Sequence, residues 1–147
     1  MKIYMDTCCY NRPFDNQTQD KIHVESEAVM AILYRCENEI WKLYGSEVLE
    51  YELSNNTDSI KRLKAQTLYK IAQEPVIIND DIEKRALEFE KFGLKALDSL
   101  HLASAEYIQA NIVLTVDKGF IKSAAKSDSR VKIRNPVNWL MEVTEDE

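Results

Sequence analysis

GLKALDSLHLASA, residues 93–105, decides how the rest of the chain is read. A helix-breaking glycine and a short loop lead into an acid, and apolar residues follow at helical spacing. Leu97, Leu100, Ala103 and Ala105 fall on or near one face of a predicted helix. Asp98 stands at its start, where a carboxylate can simply cap exposed backbone N–H groups. Three other acids occupy comparable places. Asp6 follows the apolar run Ile3-Tyr4-Met5, and Asp117 follows Ile112–Val116. Glu52 lies on a helical stretch just after the apolar run Ile40–Tyr44. Acids just past strand ends gather at one edge of a parallel sheet, which is where open α/β folds place their sites.

Outward from this stretch, strand and helix patterns alternate. Short strands are predicted at Lys2–Met5, Ile40–Tyr44, Val76–Ile78, Ile112–Val116 and Val131–Ile133. Helices are predicted over Asp20–Glu37, after Ser46, over Ser59–Gln73, after Asn79 and after Asp98, with a last turn at Val137–Leu140. Tyr10–Asn16 reads as a loop at the site entrance, with Arg12 as a candidate phosphate contact. The helix after Ser46 and the basic helix after Asp58 form a hairpin fit to rest on a partner or a second copy. Alternation of this kind predicts an α/β sandwich with a mostly parallel sheet.

The chain has 147 residues, which suits one domain over 1–147 with an acidic tail at 142–147 expected to fray. Three glycines and three prolines leave little room for a flexible linker. No signal peptide or membrane-length apolar run is present, so a cytoplasmic protein is expected. Cys8, Cys9 and Cys36 are an odd count without C-x-x-C spacing, against a disulfide framework or zinc site. A nucleophilic Cys8 or Cys9 is the lesser alternative to partly buried thiols. His23 and His101 show no metal-ligand spacing, and His101 reads as a packing or hydrogen-bonding residue. The net charge of −6 excludes a uniformly basic nucleic-acid binder. Two local basic stretches remain: Lys61, Arg62, Lys64 and Lys70, and the run Lys118–Arg134 with Asp128 its single acid. Either is a solvated face or a rim for a phosphate backbone.

Several pieces, in order, resemble the PIN-domain ribonucleases, a family that includes VapC-type toxins of toxin–antitoxin pairs. They are M-D-T-C-C-Y-N at 5–11, S-E-V-L-E-Y-E-L at 46–53, L-D-S-L-H-L-A-S-A at 97–105, L-T-V-D-K-G-F at 114–120 and R-N-P-V-N-W-L at 134–140. Cys8 and Cys9 depart from the small or apolar residues expected beside the first acid. The resemblance implies a PIN-like α/β/α sandwich and a metal-dependent endoribonuclease. It implies Asp6, Asp98 and Asp117 as direct or water-mediated ligands to Mg²⁺ or Mn²⁺, with Glu52 binding or orienting a metal-bound water. Glu52 matches the family pattern of a small polar residue, here Ser46, with an acid six positions on and then an apolar residue; Glu50 is its rival. Thr115 matches a small hydroxyl position and would hold a water or phosphate. An RNA substrate, a cognate antitoxin and a homodimer are implied as partners.

The chemistry is coherent. Several carboxylates in one cleft repel, and a cation relieves that repulsion. Oxygen ligands suit Mg²⁺ or Mn²⁺, and such an ion can activate water for attack on a phosphodiester. Two other classes remain open to the same residues. One is a PIN-like module that binds RNA or protein without cutting. The other is a phosphotransfer protein with Asp6 or Asp117 as acceptor, although Asp6 lacks a D-x-D neighbour and no suitably placed lysine follows a late strand.

Overall fold

The strand Lys2–Met5 (β1) is the centre of the molecule, and its Ile3, Tyr4 and Met5 are fully buried. Side chains alternate between faces along a strand, so burial on both sides requires cover on both sides. The structure, a computed structural model, describes residues 1–145.

β1 is flanked by Lys42–Ser46 (β2) on one side and Ile112–Leu114 (β4) on the other. Gln73–Val76 (β3) and Lys132–Arg134 (β5) close the edges. The order is β3-β2-β1-β4-β5, with every pairing parallel. Ile3 lies opposite Leu43 in β2 and Ile112 in β4, an apolar row across the sheet. The chain leaves β1 toward β2 and β3, then returns to begin β4 on the other side. The order therefore reverses between β1 and β4, and the space outside their C-terminal ends is where open α/β sheets place a binding crevice.

Among the described residues eight α-helices accompany these strands: Thr7–Asn11 (α1), Asp20–Glu37 (α2), Glu47–Ser54 (α3), Ser59–Tyr69 (α4), Asp80–Glu90 (α5), Ala96–Tyr107 (α6), Lys118–Ala125 (α7) and Pro136–Val143 (α8). Their starts follow the capping chemistry in the sequence. Ser46 accepts from the Leu49 N–H, Asp58 from Ile60 and Lys61, Asn79 from Ile82, and Asn135 from Val137. α2 packs on α8, where the Trp41 and Trp139 rings meet at 4.9 Å. α5 packs on α6, tied by Arg85 Nε to Glu106 Oε1 at 2.7 Å.

The structure corrects several expected elements. Residues 10–16 are not an open loop: α1 is followed by a 3-10 turn at Arg12–Phe14. The second strand lies two residues later than Ile40–Tyr44, so Ile40 is exposed and Ser46 ends the strand as well as capping α3. The third strand is Gln73–Val76 rather than Val76–Ile78. It runs at the sheet edge, where Pro75 needs no N–H to donate. The fourth strand stops at Leu114, the fifth begins at Lys132, and α4 ends at Tyr69. Ile60, Leu63 and Leu87, apolar positions of their helices, are exposed. Within the tail expected to fray, α8 continues to Val143, and Glu142 pairs with Arg134 at 2.9 Å. Positions 146–147 of that tail lie outside the described residues.

Candidate active site

Asp6 follows the last residue of β1 at the reversal point, and it is 4% exposed. Its backbone turns the chain into α1, and its Oδ1 accepts from the Cys9 N–H at 3.4 Å. Thr115, fully buried beyond the end of β4, donates its hydroxyl to Asp6 Oδ2 at 2.5 Å. The same hydroxyl oxygen accepts from the Asp117 N–H at 3.0 Å. One side chain thus joins the two acids on neighbouring strands. Asp117 caps α7, its Oδ1 accepting from Gly119 at 2.8 Å and Phe120 at 3.2 Å.

Asp98 is not an N-cap. Lys95 holds that place in extended conformation, and Asp98 is the third residue of α6. The reason is local: Gly93 turns the chain with φ of 95° and Leu94 buries itself, so the helix starts earlier than the acid. The Asp98 carboxylate is freed from capping while it stays in the first turn, where the helix dipole favours negative charge.

Glu52 and Glu50 part company on α3. Glu50 is exposed and accepts the Tyr69 hydroxyl at 2.9 Å. Glu52 is half-buried, and its Oε1 takes the Thr7 hydroxyl at 2.8 Å and a short bond from His101 Nε2. His101 is 1% exposed, and its Nδ1 lies 2.6 Å from the Tyr4 hydroxyl. Tyr4 in turn meets Ser46 Oγ at 2.7 Å, and Ser46 Oγ accepts the Leu49 N–H. With Nε2–H donating to the carboxylate, Nδ1 accepts from Tyr4. A buried relay of side chains therefore runs Ser46–Tyr4–His101–Glu52–Thr7 and fixes the direction of Glu52.

The charge balance of the cleft is acidic. Among the described residues no lysine or arginine forms an ion pair with Asp6, Asp98 or Asp117. Burial pushes the Asp6 carboxyl well above its usual range, with the neighbouring Cys8 adding to the rise. Burial also raises Asp98, and the charges of Asp117 and Glu52 add to that, although His101 and Lys95 oppose it. Burial works against charge on Glu52 too, but the His101 and Thr7 bonds outweigh it and hold this carboxyl below its ordinary value. Cys8 Sγ lies 2.9 Å from Asp6 Oδ1 and 3.3 Å from Thr115 Oγ1. Hydrogen bonds, that with Cys9 first and those with Asp6 and Thr115 after it, outweigh burial and bring the Cys8 thiol down to about 6.

These donors fit a divalent cation. Asp6 is a buried carboxylate without a counter-charge, and three further acids stand around the same crevice. The tightest group of donor atoms among the described residues is nevertheless Asp6, Cys8 and Cys9, within 4.8 Å of one another, not a set of four carboxylates. Asp98 senses Asp117 and Glu52 through their fields.

Arg12 is committed to carboxylates, Asp15 at 3.1 Å and Glu25 at 3.2 Å, and is not available as the phosphate contact expected of it. Lys61 also pairs with Asp15, at 3.2 Å. The three cysteines are free thiols, as the spacing implied. Tyr4, His101 and Cys8 are the side chains whose part in the site the sequence did not disclose. The one available signal was the i, i+3 spacing of Asp98 and His101, which puts both on one helix face.

The model of the PIN domain family matches residues 3–126. The chain therefore belongs to the PIN domain family, the nuclease family that its ordered motifs resemble. Among solved structures it is similar to a chain of VapBC2 from Rickettsia felis, crystallised bound to a DNA fragment from their promoter. That match has a TM-score of 0.58 and 15% identity, and covers 92% of this chain and 98% of the other. At that identity the likeness is one of fold. No curated protein matches the chain. Among the described residues no helix is long and apolar enough to cross a membrane.

Proposed function

We propose that the protein is a metal-dependent endoribonuclease and that the crevice between β1 and β4 is its active site. The observation that carries this reading is Asp6: a buried carboxylate with no lysine or arginine paired to it, joined through Thr115 to Asp117, whose charge with that of Glu52 is felt by Asp98. Asp6, Asp98 and Asp117 would hold Mg²⁺ or Mn²⁺. When bound, such an ion supplies Lewis-acid activation of water and stabilises charge on the phosphate.

The chain's own groups do the rest. Thr115 spends its proton on Asp6 and its lone pair on the Asp117 N–H, which keeps the two acids aligned. Glu52 Oε1 is occupied by Thr7 and His101, so Oε2 is left to orient the attacking water and accept its proton. Lys95 and Lys118, at the N-terminal ends of α6 and α7, would meet the phosphate backbone. Unpaired, structured RNA fits an open crevice better than a duplex groove, because its bases can be splayed.

The fold likeness to VapBC2 supports a toxin held by a cognate antitoxin, and exposed Tyr51, Ile60 and Leu63 on α3 and α4 provide apolar surface for that partner or for a homodimer. A single domain over the whole chain in the cytoplasm is part of the same reading.

The test is cleavage of a labelled, structured RNA with Mg²⁺, with Mn²⁺ and with EDTA, beside the Asp98→Asn variant. Cutting should need metal. The variant should lose roughly a hundredfold or more, since even residues that only orient ligands cost 10–100-fold. A variant as active as the parent in the same metal would remove Asp98 from the site. A folded protein that binds RNA but never cuts it would be a binding module instead.

A further inference from the structure

One polar group in the crevice has no part in the acid chemistry. Cys8 stands on the first turn of α1, half-buried and packed against the core, with its sulfur at the carboxylate of Asp6. Its neighbour Cys9 differs. Cys9 is fully buried and its thiol donates to the Leu114 carbonyl at 3.4 Å, behind the sheet edge. Cys8 Sγ is instead 2.9 Å from Asp6 Oδ1 and 3.3 Å from Thr115 Oγ1.

A sulfur at about 2.3 Å and a carboxylate oxygen at about 2.1 Å lie about 3.1 Å apart when bound at right angles and about 3.6 Å apart at the tetrahedral angle. Asp6 and Cys8, now 2.9 Å apart, reach either arrangement by parting by less than about 1 Å. Asp117 is tied to the same place through Thr115, whose hydroxyl bonds to Asp6 and to the Asp117 N–H. We propose that Cys8 is a ligand to the site's divalent cation, sharing it with Asp6, so that the centre has a mixed sulfur and oxygen shell. The proposal rests on the metal-centre reading above and adds the chemical class of ion. Thiolate donors favour thiophilic cations, and carboxylates alone favour Mg²⁺ and Mn²⁺. Zn²⁺ and Cd²⁺ would therefore bind this centre more tightly than an all-carboxylate one, at the expense of Mg²⁺. Ligation of the cation by Cys8 as a thiolate would release the thiol proton to solvent.

The test uses Cd²⁺ as the probe and reads ultraviolet sulfur-to-cadmium charge-transfer absorption, in the full chain carrying Cys36→Ser to silence the remote thiol. Mn²⁺ binding is followed in parallel by electron paramagnetic resonance. The parent should show the band. Cys8→Ser, which preserves a donor toward Asp6, should abolish it and weaken Cd²⁺ binding at least about tenfold relative to Mn²⁺. A misfolded variant would lose both ions, so the changed ratio reports ligation rather than fold. An unchanged band and an unchanged ratio in Cys8→Ser would overturn the proposal and leave the thiol as a hydrogen-bond donor to Asp6. In that case Mn²⁺ binding that survives in Cys8→Ser but fails in Asp6→Asn would leave the carboxylate centre standing. A parent that takes up neither ion would overturn the sulfur ligand together with the metal-centre reading.

Discussion

Tyr4→Phe removes one oxygen from the middle of the buried relay. The Tyr4 hydroxyl bonds to His101 Nδ1 at 2.6 Å and to Ser46 Oγ at 2.7 Å. Tyr4 is fully buried and His101 is 1% exposed, so solvent is not at hand to replace it. The ring stays, and packing is nearly unchanged. Two bonds are lost and His101 Nδ1 is left unpaired, a cost of about 1–3 kcal/mol. For a chain of this size each kcal/mol lowers Tm by about 2–4 °C, so a fall of about 3–10 °C is expected. The functional effect should be separate. His101 loses the partner that fixes its tautomer and ring orientation, and Glu52 loses its direction. Support groups of this kind are worth about 10–100-fold in metal affinity or activity. The assay is thermal unfolding of parent and variant, then Mn²⁺ titration and RNA cleavage at a temperature where both are folded. A variant with parental Tm, Mn²⁺ affinity and cleavage would show that the relay does not hold Glu52, and the argument from Tyr4 and His101 would fail.

Tyr10→Phe is the counterpart. The Tyr10 hydroxyl is buried without a hydrogen-bond partner, so its removal should leave Tm equal or higher; a fall of several degrees in a melt would reveal a partner for it. Gly45→Ala places a Cβ 2.2 Å from the Tyr69 hydroxyl, which must leave Glu50 and the edge of the Tyr10 ring. Overpacking of this kind costs about 1–3 kcal/mol, measurable by urea denaturation, and full parental stability would mean that α4 yields freely. The metal-free protein should lose stability as pH rises. The folded state binds the protons of Asp6 and Asp98 more tightly than the unfolded chain, so their contribution is complete below about pH 3.9 and is lost on passing the raised folded values. Glu52 has the opposite sign: its contribution is present above its ordinary value and lost as pH falls. Asp6 is the more deeply buried group and dominates the trend. Mn²⁺ at a hundredfold excess over its Kd should then restore about 2.7 kcal/mol, or about 5–10 °C in Tm. A melt indifferent to both pH and Mn²⁺ would contradict a strained acidic crevice.

Much of this molecule is legible without coordinates. Apolar runs of three to five residues alternating with helical spacing lead to a parallel α/β sheet, because only crossover helices join parallel strands and cover both faces. Local capping chemistry is equally readable: Ser46, Asp58, Asn79 and Asn135 each begin the helix that their side chains suit. The places of Asp6 and Asp117 follow from the strands that they end. Such features depend on residues a few positions apart.

The remainder depends on partners distant in the chain. Asp98 resembles a cap, and although the turn at Gly93 is local, the burial of Leu94 that sets the helix start is decided by the packed core. Glu50 and Glu52 are two positions apart on one helix. What separates them is Tyr69 on one side, and Thr7 and His101 on the other. His101 and Tyr4 become site residues because β1 lies beneath α6, and Cys8 meets Thr115 across 107 positions of sequence. Sequence by itself determined the elements, their order and the strand ends where acids gather, since propensity and periodicity are local. The tertiary structure alone decided which acids share a field and which side chains aim them, since those contacts exist only once the strands have paired.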